Sequence, residues 1–372
     1  MAASTIRLSI TCFRVCPGTN YEKCRQSSKT SVAITQSLIT RPACSSPTGK
    51  SCNTCIRSAR RSASLCTTVH VRSIKIQHSS GVPHQKLGKA NFDLVYGLED
   101  PREYFGAFEE LDYCIPQHGQ RVFSALIEAR SEEGHNGFGA RRTGVVDVCC
   151  SYGINAALLK HEVTLNDLYA RYGSGELASL SSEELAEADT VFYGGRVRRA
   201  APQVIGVDVS RKAVSYGVRS GILDAGFAEN LEEDEPTEEF GRAVSGADLL
   251  TVTGGVGYIS ERTFGRLLDR MTEGPEGRIP WVAVFALRWV SYEEISEVLS
   301  GYGLVTEKLD GYTFTQRRFA DDTEREYVLA KLAKMGIDAS GKEEEGWHHT
   351  DFYLSRPADE AETPLETLLT WD

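Results

Sequence analysis

Beyond about residue 140, short apolar bursts alternate with stretches of helical period. The bursts at 144–148, 204–209, 248–252, 281–287 and 304–309 are rich in Val, Ile, Leu and Ala. Trp281–Leu287 is apolar at successive positions, as a central parallel strand covered on both faces should be. A weaker strand candidate lies in Ala225–Leu231, and a last one in Asp351–Ser355. Between the bursts, helices are predicted over Arg211–Leu223 after Ser210, Glu261–Met271 after Ser260, and Ser291–Tyr302 before Gly303. This alternation predicts an α/β fold, a doubly wound and mostly parallel seven-stranded sheet. Upstream, 93–116 is polar and aromatic, with Asp100 expected as N-cap and Pro101 at the first helical position. A helix over Gly119–Arg130 then leads into a Gly-rich loop at 131–139.

Two insertions interrupt the pattern. About 60 residues separate Asp147 from Asp208, where ~20 is usual in a dinucleotide-binding unit. That segment holds a helix at Leu165–Tyr172 and another whose start reads as a capping box, Ser181 with Glu184. The second insertion, Asp310–His349, carries the run Phe314–Phe319 and a helix near Glu324–Met335. Insertions at the strand ends of an α/β fold are candidate substrate lids, or packing surfaces.

The chemistry concentrates where strands end. Val145-Val146-Asp147-Val148 closes on an acid, and Cys149-Cys150-Ser151-Tyr152-Gly153 supplies a turn of mainly small residues before a helix beginning at Ile154. A strand, a close-approach loop and a helix start form a nucleotide-sized site at the carboxyl end of a sheet. The strand Gln203–Val209 likewise carries an acid, Asp208, at its tip and leads into a helix.

These two motifs resemble those of the class I S-adenosylmethionine-dependent methyltransferases over roughly residues 95–356. The family's first motif is acid-x-Gly-x-Gly-x-Gly. Asp147 falls on its acid and Gly153 on its last glycine, while Cys149 and Ser151 replace the first two. Both are small, but neither adopts positive φ as readily as glycine. The resemblance implies a Rossmann-like methyltransferase fold with an antiparallel last strand, and S-adenosyl-L-methionine as cofactor. It places Asp208 on the ribose hydroxyls, with Val209 beside it. Thr253 and Gly254, after the fourth strand, fall where the family faces the transferred methyl. The Asn/Asp-Pro-Pro-aromatic signature of amino-group methylating enzymes is absent there.

Charge divides the chain. Residues 1–90 hold 14 Lys plus Arg and one acid, Glu22, together with 25 Ser plus Thr. The remainder holds 27 basic and 51 acidic residues. A leader that is basic, Ser-rich and acid-poor reads as an organelle transit peptide, with the chloroplast favoured over the mitochondrion. The segmentation expected is a leader at 1–88, an N-terminal helical cap at 89–140, the cofactor-binding domain at 141–356 and a flexible tail at 357–372. Seven of the ten cysteines lie in the leader, including Cys52 and Cys55 at the spacing of half a zinc site. No second pair at usable spacing follows, so no metal is expected. The acidic body disfavours long nucleic-acid backbones, and no apolar run reaches the ~18 residues of a membrane span.

The expected activity is therefore methyl transfer to a small molecule, with a carboxylate favoured. The alternatives are a cofactor-binding subunit that no longer catalyses and, less well supported, a nicotinamide-dependent oxidoreductase, for which the Gly-x-Gly-x-x-Gly pattern is missing. Candidate substrate contacts are Tyr113, Tyr258, Arg288 and Arg317, with Arg318 beside the last. An arginine at the mouth of the site would clamp a carboxylate with two parallel hydrogen bonds. No catalytic base is assigned. His348 and His349 are adjacent on a strand and point to opposite faces, and His161 is expected at the surface. The acidic run Glu229–Glu239 reads as a solvated loop.

Overall fold

The computed structural model describes residues 93–133, 142–274 and 278–369. The leader with Cys52 and Cys55, and most of the Gly-rich loop, lie outside the described residues. Three helices come first: α1 (Asp93–Tyr96), α2 (Arg102–Glu109) and α3 (Ile115–Glu133). Then follow β1 (Gly144–Val148), α4 (Ile154–Lys160), α5 (Leu165–Tyr172), α6 (Ser182–Gly194), β2 (Gln203–Asp208), α7 (Arg211–Arg219) and β3 (Ala225–Ala228). The chain continues through α8 (Glu238–Val244), β4 (Leu249–Thr253), α9 (Glu261–Met271), β5 (Trp281–Leu287), α10 (Glu293–Gly301) and β6 (Leu304–Lys308). It closes with β7 (Phe314–Arg318), α11 (Asp322–Met335), β8 (Trp347–Pro357) and α12 (Leu365–Leu368).

The strands run in the order β3-β2-β1-β4-β5-β8-β6. The pairs from β3 to β5 are parallel, and β8 is antiparallel to β5 and β6. This is the doubly wound, mostly parallel α/β sheet that the sequence predicts, with the antiparallel last strand that the resemblance implies. Successive residues of each central strand enter opposite layers. Val145, Val204, Leu249 and Trp281 join one core with α3, α4 and α7. Val146, Ile205, Leu250 and Val282 join the other with α8, α9 and α10. Burial on both faces is why the strands read as unbroken apolar runs.

The described residues form eight strands, not seven. The extra one, β7, lies inside the second insertion. β8 is long enough to pair with β6 over 353–357 and with β7 over 347–350 along one edge. Residues 347–349 of β8 project past its pairing with β5, which ends at Leu287↔Thr350. β7 therefore extends the sheet at the carboxyl ends of the parallel strands, the end that carries the motifs.

The predicted caps of the central helices form. The side chains of Ser210, Ser260 and Ser181 each accept a backbone N–H of the first turn, and Glu184 completes its capping box. Asp100 stands one residue outside the helix it was expected to cap. It accepts the Arg102 backbone N–H at 3.1 Å and pairs with the Arg102 guanidinium, and Pro101 takes the N-cap position. His161 is buried, with Nδ1 3.0 Å from the Ala157 carbonyl, rather than at the surface. Within the acidic run, Glu232 is no free carboxylate. It binds the Ser260 N–H and hydroxyl and the Thr263 hydroxyl at the start of α9. Residues 357–369 of the tail are packed rather than loose: Leu365 and Leu369 enter the core, and Glu360 accepts from Trp281 and Arg130.

The first insertion is fixed by one buried acid. Asp189 accepts the hydroxyls of Tyr172 and Tyr216, each at 2.6 Å, and Arg171 Nε at 2.7 Å, tying α5, α6 and α7 together. Phe105 of α2 stacks on Tyr172 with centroids 4.5 Å apart. The N-terminal helices thus share the core of the domain they were expected only to cap.

Candidate functional site

The loop after β1 keeps a glycine-like backbone without the glycines. Cys149 has φ 57° and Ser151 φ 51°, followed by Gly153 at φ 83°. A left-handed conformation costs an ordinary residue about 1–2 kcal/mol. Strain of this kind persists where surrounding structure imposes it, often at ligand sites. Here the next strand imposes it. Asp208 Oδ2 accepts the Ser151 N–H at 2.9 Å, and Oδ1 accepts the Ser210 N–H at 2.8 Å. Cys149 and Cys150 face opposite ways. A β-carbon on Gly255 would lie 2.9 Å from Cys149 Sγ, and one on Gly206 would lie 2.7 Å from Cys150 Sγ. Packing also requires Gly153, because a β-carbon there would meet Ile222 at 2.8 Å.

Asp147 is fully buried at the tip of β1. Its Oδ1 accepts Asn155 Nδ2 at 2.9 Å and Thr251 Oγ1 at 3.0 Å. Burial pushes its pKa up to about 7; the two hydrogen bonds oppose this and the nearby Asp208 adds to it. Asn155 Nδ2 also donates to Thr253 Oγ1 at 2.9 Å, joining β1, α4 and β4. Asp208 is raised as well, by burial, against backbone N–H groups of Ser210, Ser151 and Val209. The Val209 side chain is exposed.

Four buried oxygens in this region have no hydrogen-bond partner within the protein: Asp147 Oδ2, Ser151 Oγ, Asn155 Oδ1 and Gln316 Oε1. Three of them can only accept when the carboxylate is ionised. The acceptors on Asp147, Ser151 and Asn155 fit a ligand that brings donors or positive charge, as the ammonium and sulfonium of S-adenosylmethionine do.

The N-terminal segment covers this region. Tyr152 of the loop donates its hydroxyl to the carbonyls of Val95 and Leu98, at 3.1 and 3.0 Å. Ser210 Oγ donates to the Tyr96 carbonyl at 2.6 Å, and Lys212 pairs with Glu99 at 2.8 Å. Further on, Cys114 N donates to the Gln316 carbonyl and Arg318 N to the Leu111 carbonyl, each at 2.8 Å, so residues 111–114 dock on β7. Burial raises the Tyr96 hydroxyl pKa, which also responds to Tyr113, Tyr258, Asp208 and Arg317. Of the four candidate substrate contacts, Tyr113, Tyr258 and Arg317 thus lie within electrostatic reach of Tyr96. Tyr258 is 56 % exposed, so it is not a core residue.

The arginines do not form a carboxylate clamp. Arg288 is buried and bonded to Glu343 Oε2 at 2.5 Å and to the Asp338 carbonyl at 2.7 Å. It borders a cleft of about 420 Å³ with Tyr292, Lys308, Asp351 and Tyr353, none of them a residue of the loop after β1. Arg317 grips Glu324 with two hydrogen bonds, at 2.9 and 2.7 Å. Arg318 pairs with Asp112 at 2.6 Å and stacks over Trp347. Burial would raise Glu324, but Arg317 and His348 hold it well below the usual carboxylate range. The histidines diverge as expected. His348 Nε2 lies 3.3 Å from Glu324, whereas His349 Nδ1 lies 3.2 Å from Thr313 Oγ1.

Sequence reading missed Asn155, Thr251 and Gln316. Asn155 was legible in principle, as a polar residue in an otherwise apolar first turn of α4. Among the described residues no group of three or more His, Cys, Asp or Glu is placed to hold a metal ion, and no helix is long and apolar enough to cross a membrane.

No family model and no curated protein matches the chain. Solved structures similar to it include a TehB-like SAM-dependent methyltransferase from Corynebacterium glutamicum, 13% identical, covering 61% of this chain and 85% of that one, with TM-score 0.29. Another is magnesium protoporphyrin IX methyltransferase from Synechocystis with bound SAM, 12% identical, covering 64% and 80%, with TM-score 0.29. The YcgJ protein of Bacillus subtilis is 10% identical over 64% of this chain and 98% of its own, with TM-score 0.34.

Proposed function

We propose that the chain is a S-adenosylmethionine-dependent methyltransferase that acts on a small molecule in a plastid. The observation that carries the reading is the set of buried, unpartnered oxygens on Asp147, Ser151 and Asn155, around a loop held in left-handed backbone by Asp208. Bound there, the cofactor would supply an electrophilic methyl carbon on a sulfonium.

The chain's own residues have four tasks in this reading. Asp147 and Asn155 accept from the cationic end of the cofactor. Asp208, half-buried at the tip of β2, accepts from its hydroxyls while fixing the Ser151 N–H. Tyr96 and Tyr113, half-buried residues of the N-terminal segment, exclude water from the reacting side. Alignment and exclusion of water are most of what such a displacement requires. The strongly acidic body supports a small molecule over a long polyanion. The basic, Ser-rich leader supports plastid import, which a reporter fused to residues 1–88 tests directly; a cytosolic reporter rejects the localisation.

Isothermal titration of the full chain tests the cofactor. S-adenosylmethionine should bind in preference to NAD. Asp208→Ala should weaken binding by about 2 kcal/mol, roughly 30-fold, because a carboxylate accepting hydroxyls makes charge-assisted bonds. Wild-type affinity in that variant, with the fold intact by circular dichroism, removes the assignment.

A further inference from the structure

Strand β7 carries a buried side chain that the cofactor loop does not need. Thr315 pairs with His349 and Arg317 with His348, so Gln316 is the extra residue of a bulge. Bulges break the strict alternation of a strand and re-aim one side chain, often beside a functional site. The neighbours of Gln316 are committed elsewhere. Phe314 packs edge-on against Phe285 in the core, and Arg317 holds Glu324. Gln316 instead reaches the tip of β4: a β-carbon on Gly254 would lie 2.5 Å from its Nε2. Its backbone is fixed from the other side, where its carbonyl accepts the Cys114 N–H at 2.8 Å. The residue is 4 % exposed, and Oε1 has no hydrogen-bond partner. Leaving a buried acceptor unmet costs about 1–3 kcal/mol. A folded chain tolerates that most readily where a ligand completes the bond.

We infer that Gln316 recognises the methyl-accepting molecule, with Oε1 taking a hydrogen bond from a hydroxyl or amine on it, so that the site selects a donor group over a carboxylate. The inference rests on the methyltransferase reading, in which Gly254 stands where the methyl is transferred. The surrounding charges point the same way. Asp147 and Asp208 offer further acceptors to this region, whereas the guanidiniums of Arg288 and Arg317 are neutralised by Glu343 and Glu324. A carboxylate would meet acceptor oxygens, while these two guanidiniums are already committed. A hydroxyl or amine meets acceptors it can satisfy. The rings of Tyr96, Tyr113 and Tyr258 provide flat surfaces, which makes small aromatic probes suitable.

The test uses the full chain saturated with S-adenosylhomocysteine and titrated with phenol, aniline and benzoate. Phenol or aniline should bind at least tenfold more tightly than benzoate. Comparing the first two tells a hydroxyl from an amine. Gln316→Leu should lose that binding at least tenfold while S-adenosylhomocysteine affinity stays within twofold. Gln316→Glu, which retains an acceptor oxygen, should restore most of it. Tighter binding of benzoate, absence of binding by both donor probes, or unchanged probe binding in Gln316→Leu overturns the inference. A parallel loss of S-adenosylhomocysteine affinity overturns it too, by making Gln316 a cofactor residue. Failure of the wild-type chain to bind S-adenosylhomocysteine is a separate result, which removes the methyltransferase reading itself and this inference with it.

Discussion

Asp147 at the tip of β1 and Arg317 on β7 are buried to nearly the same degree, at 0 % and 2 % exposed, yet the protein treats them in opposite ways. Arg317 meets Glu324 in a two-bonded ion pair, with His348 close by. Asp147 meets only neutral donors on one oxygen, keeps the other without a partner, and has its pKa raised by burial. A buried charge that carries its own counter-charge is part of the scaffold. A buried charge left incomplete is a place for something else to bind. On that criterion Arg288 belongs with Arg317, and Gln316 belongs with Asp147.

The contrast can be broken most forcefully at Arg317. Arg317→Met leaves the Glu324 carboxylate buried without its guanidinium, and breaking a buried pair in this way costs about 3–5 kcal/mol. Chemical denaturation should show that loss, while the variant, where folded, binds S-adenosylhomocysteine as the wild type does. Wild-type stability combined with lost ligand affinity would place Arg317 in the site after all.

Asp147 predicts a pH dependence of the opposite sign to that of an ordinary paired acid. Its folded pKa, about 7, lies above its unfolded value, so the native state binds the extra proton. The protein without cofactor should therefore lose stability as pH rises from about 4 to 7, by up to roughly 4 kcal/mol from this group. Asp147→Asn should flatten that slope in denaturant titrations run across the range. A cationic ligand favours the carboxylate, so S-adenosylmethionine affinity should rise with pH up to about 7. Affinity that is flat or falling over that range would detach Asp147 from the ligand.

The smallest effect sharpens the picture of the loop. Cys149→Gly and Ser151→Gly should each stabilise the fold by about 0.5–1 kcal/mol, the left-handed strain relieved less the added chain entropy of glycine. Thermal melts of the two variants would detect it. A destabilised Ser151→Gly would mean that the Ser151 hydroxyl contributes more than its backbone strain costs.

Much of the fold was legible because it depends on local pattern. Gly144–Val148, Glu261–Met271 and Trp281–Leu287 end where capping residues and apolar runs end, and the structure has the same bounds. Asp147 and Asp208 were legible because a strand tip followed by a helix start brings them to one edge of the sheet. β7 was not. Its run, Phe-Thr-Gln-Arg-Arg, has few apolar residues, and it becomes a strand only because β8 projects beyond β5 and offers an unpaired edge. The arginines misled for a related reason. A guanidinium at a strand end looks available until the helix supplying Glu324, or the short turn supplying Glu343, is folded against it.

What the sequence by itself determined is therefore the order of the strands other than β7, the helices between them and the two acids at the carboxyl edge, since period, caps and chain direction are properties of neighbours along the chain. Which buried groups are satisfied was decided only by the tertiary structure. Asp147, Asn155 and Thr253 meet across three elements, Arg317 and Glu324 meet through an insertion, and Gln316 reaches Gly254 through a bulge whose register is set by His348 and His349. Hydrogen bonds and ion pairs act over a few ångströms in space, and residues far apart in the chain reach that range only once the sheet has brought their elements together.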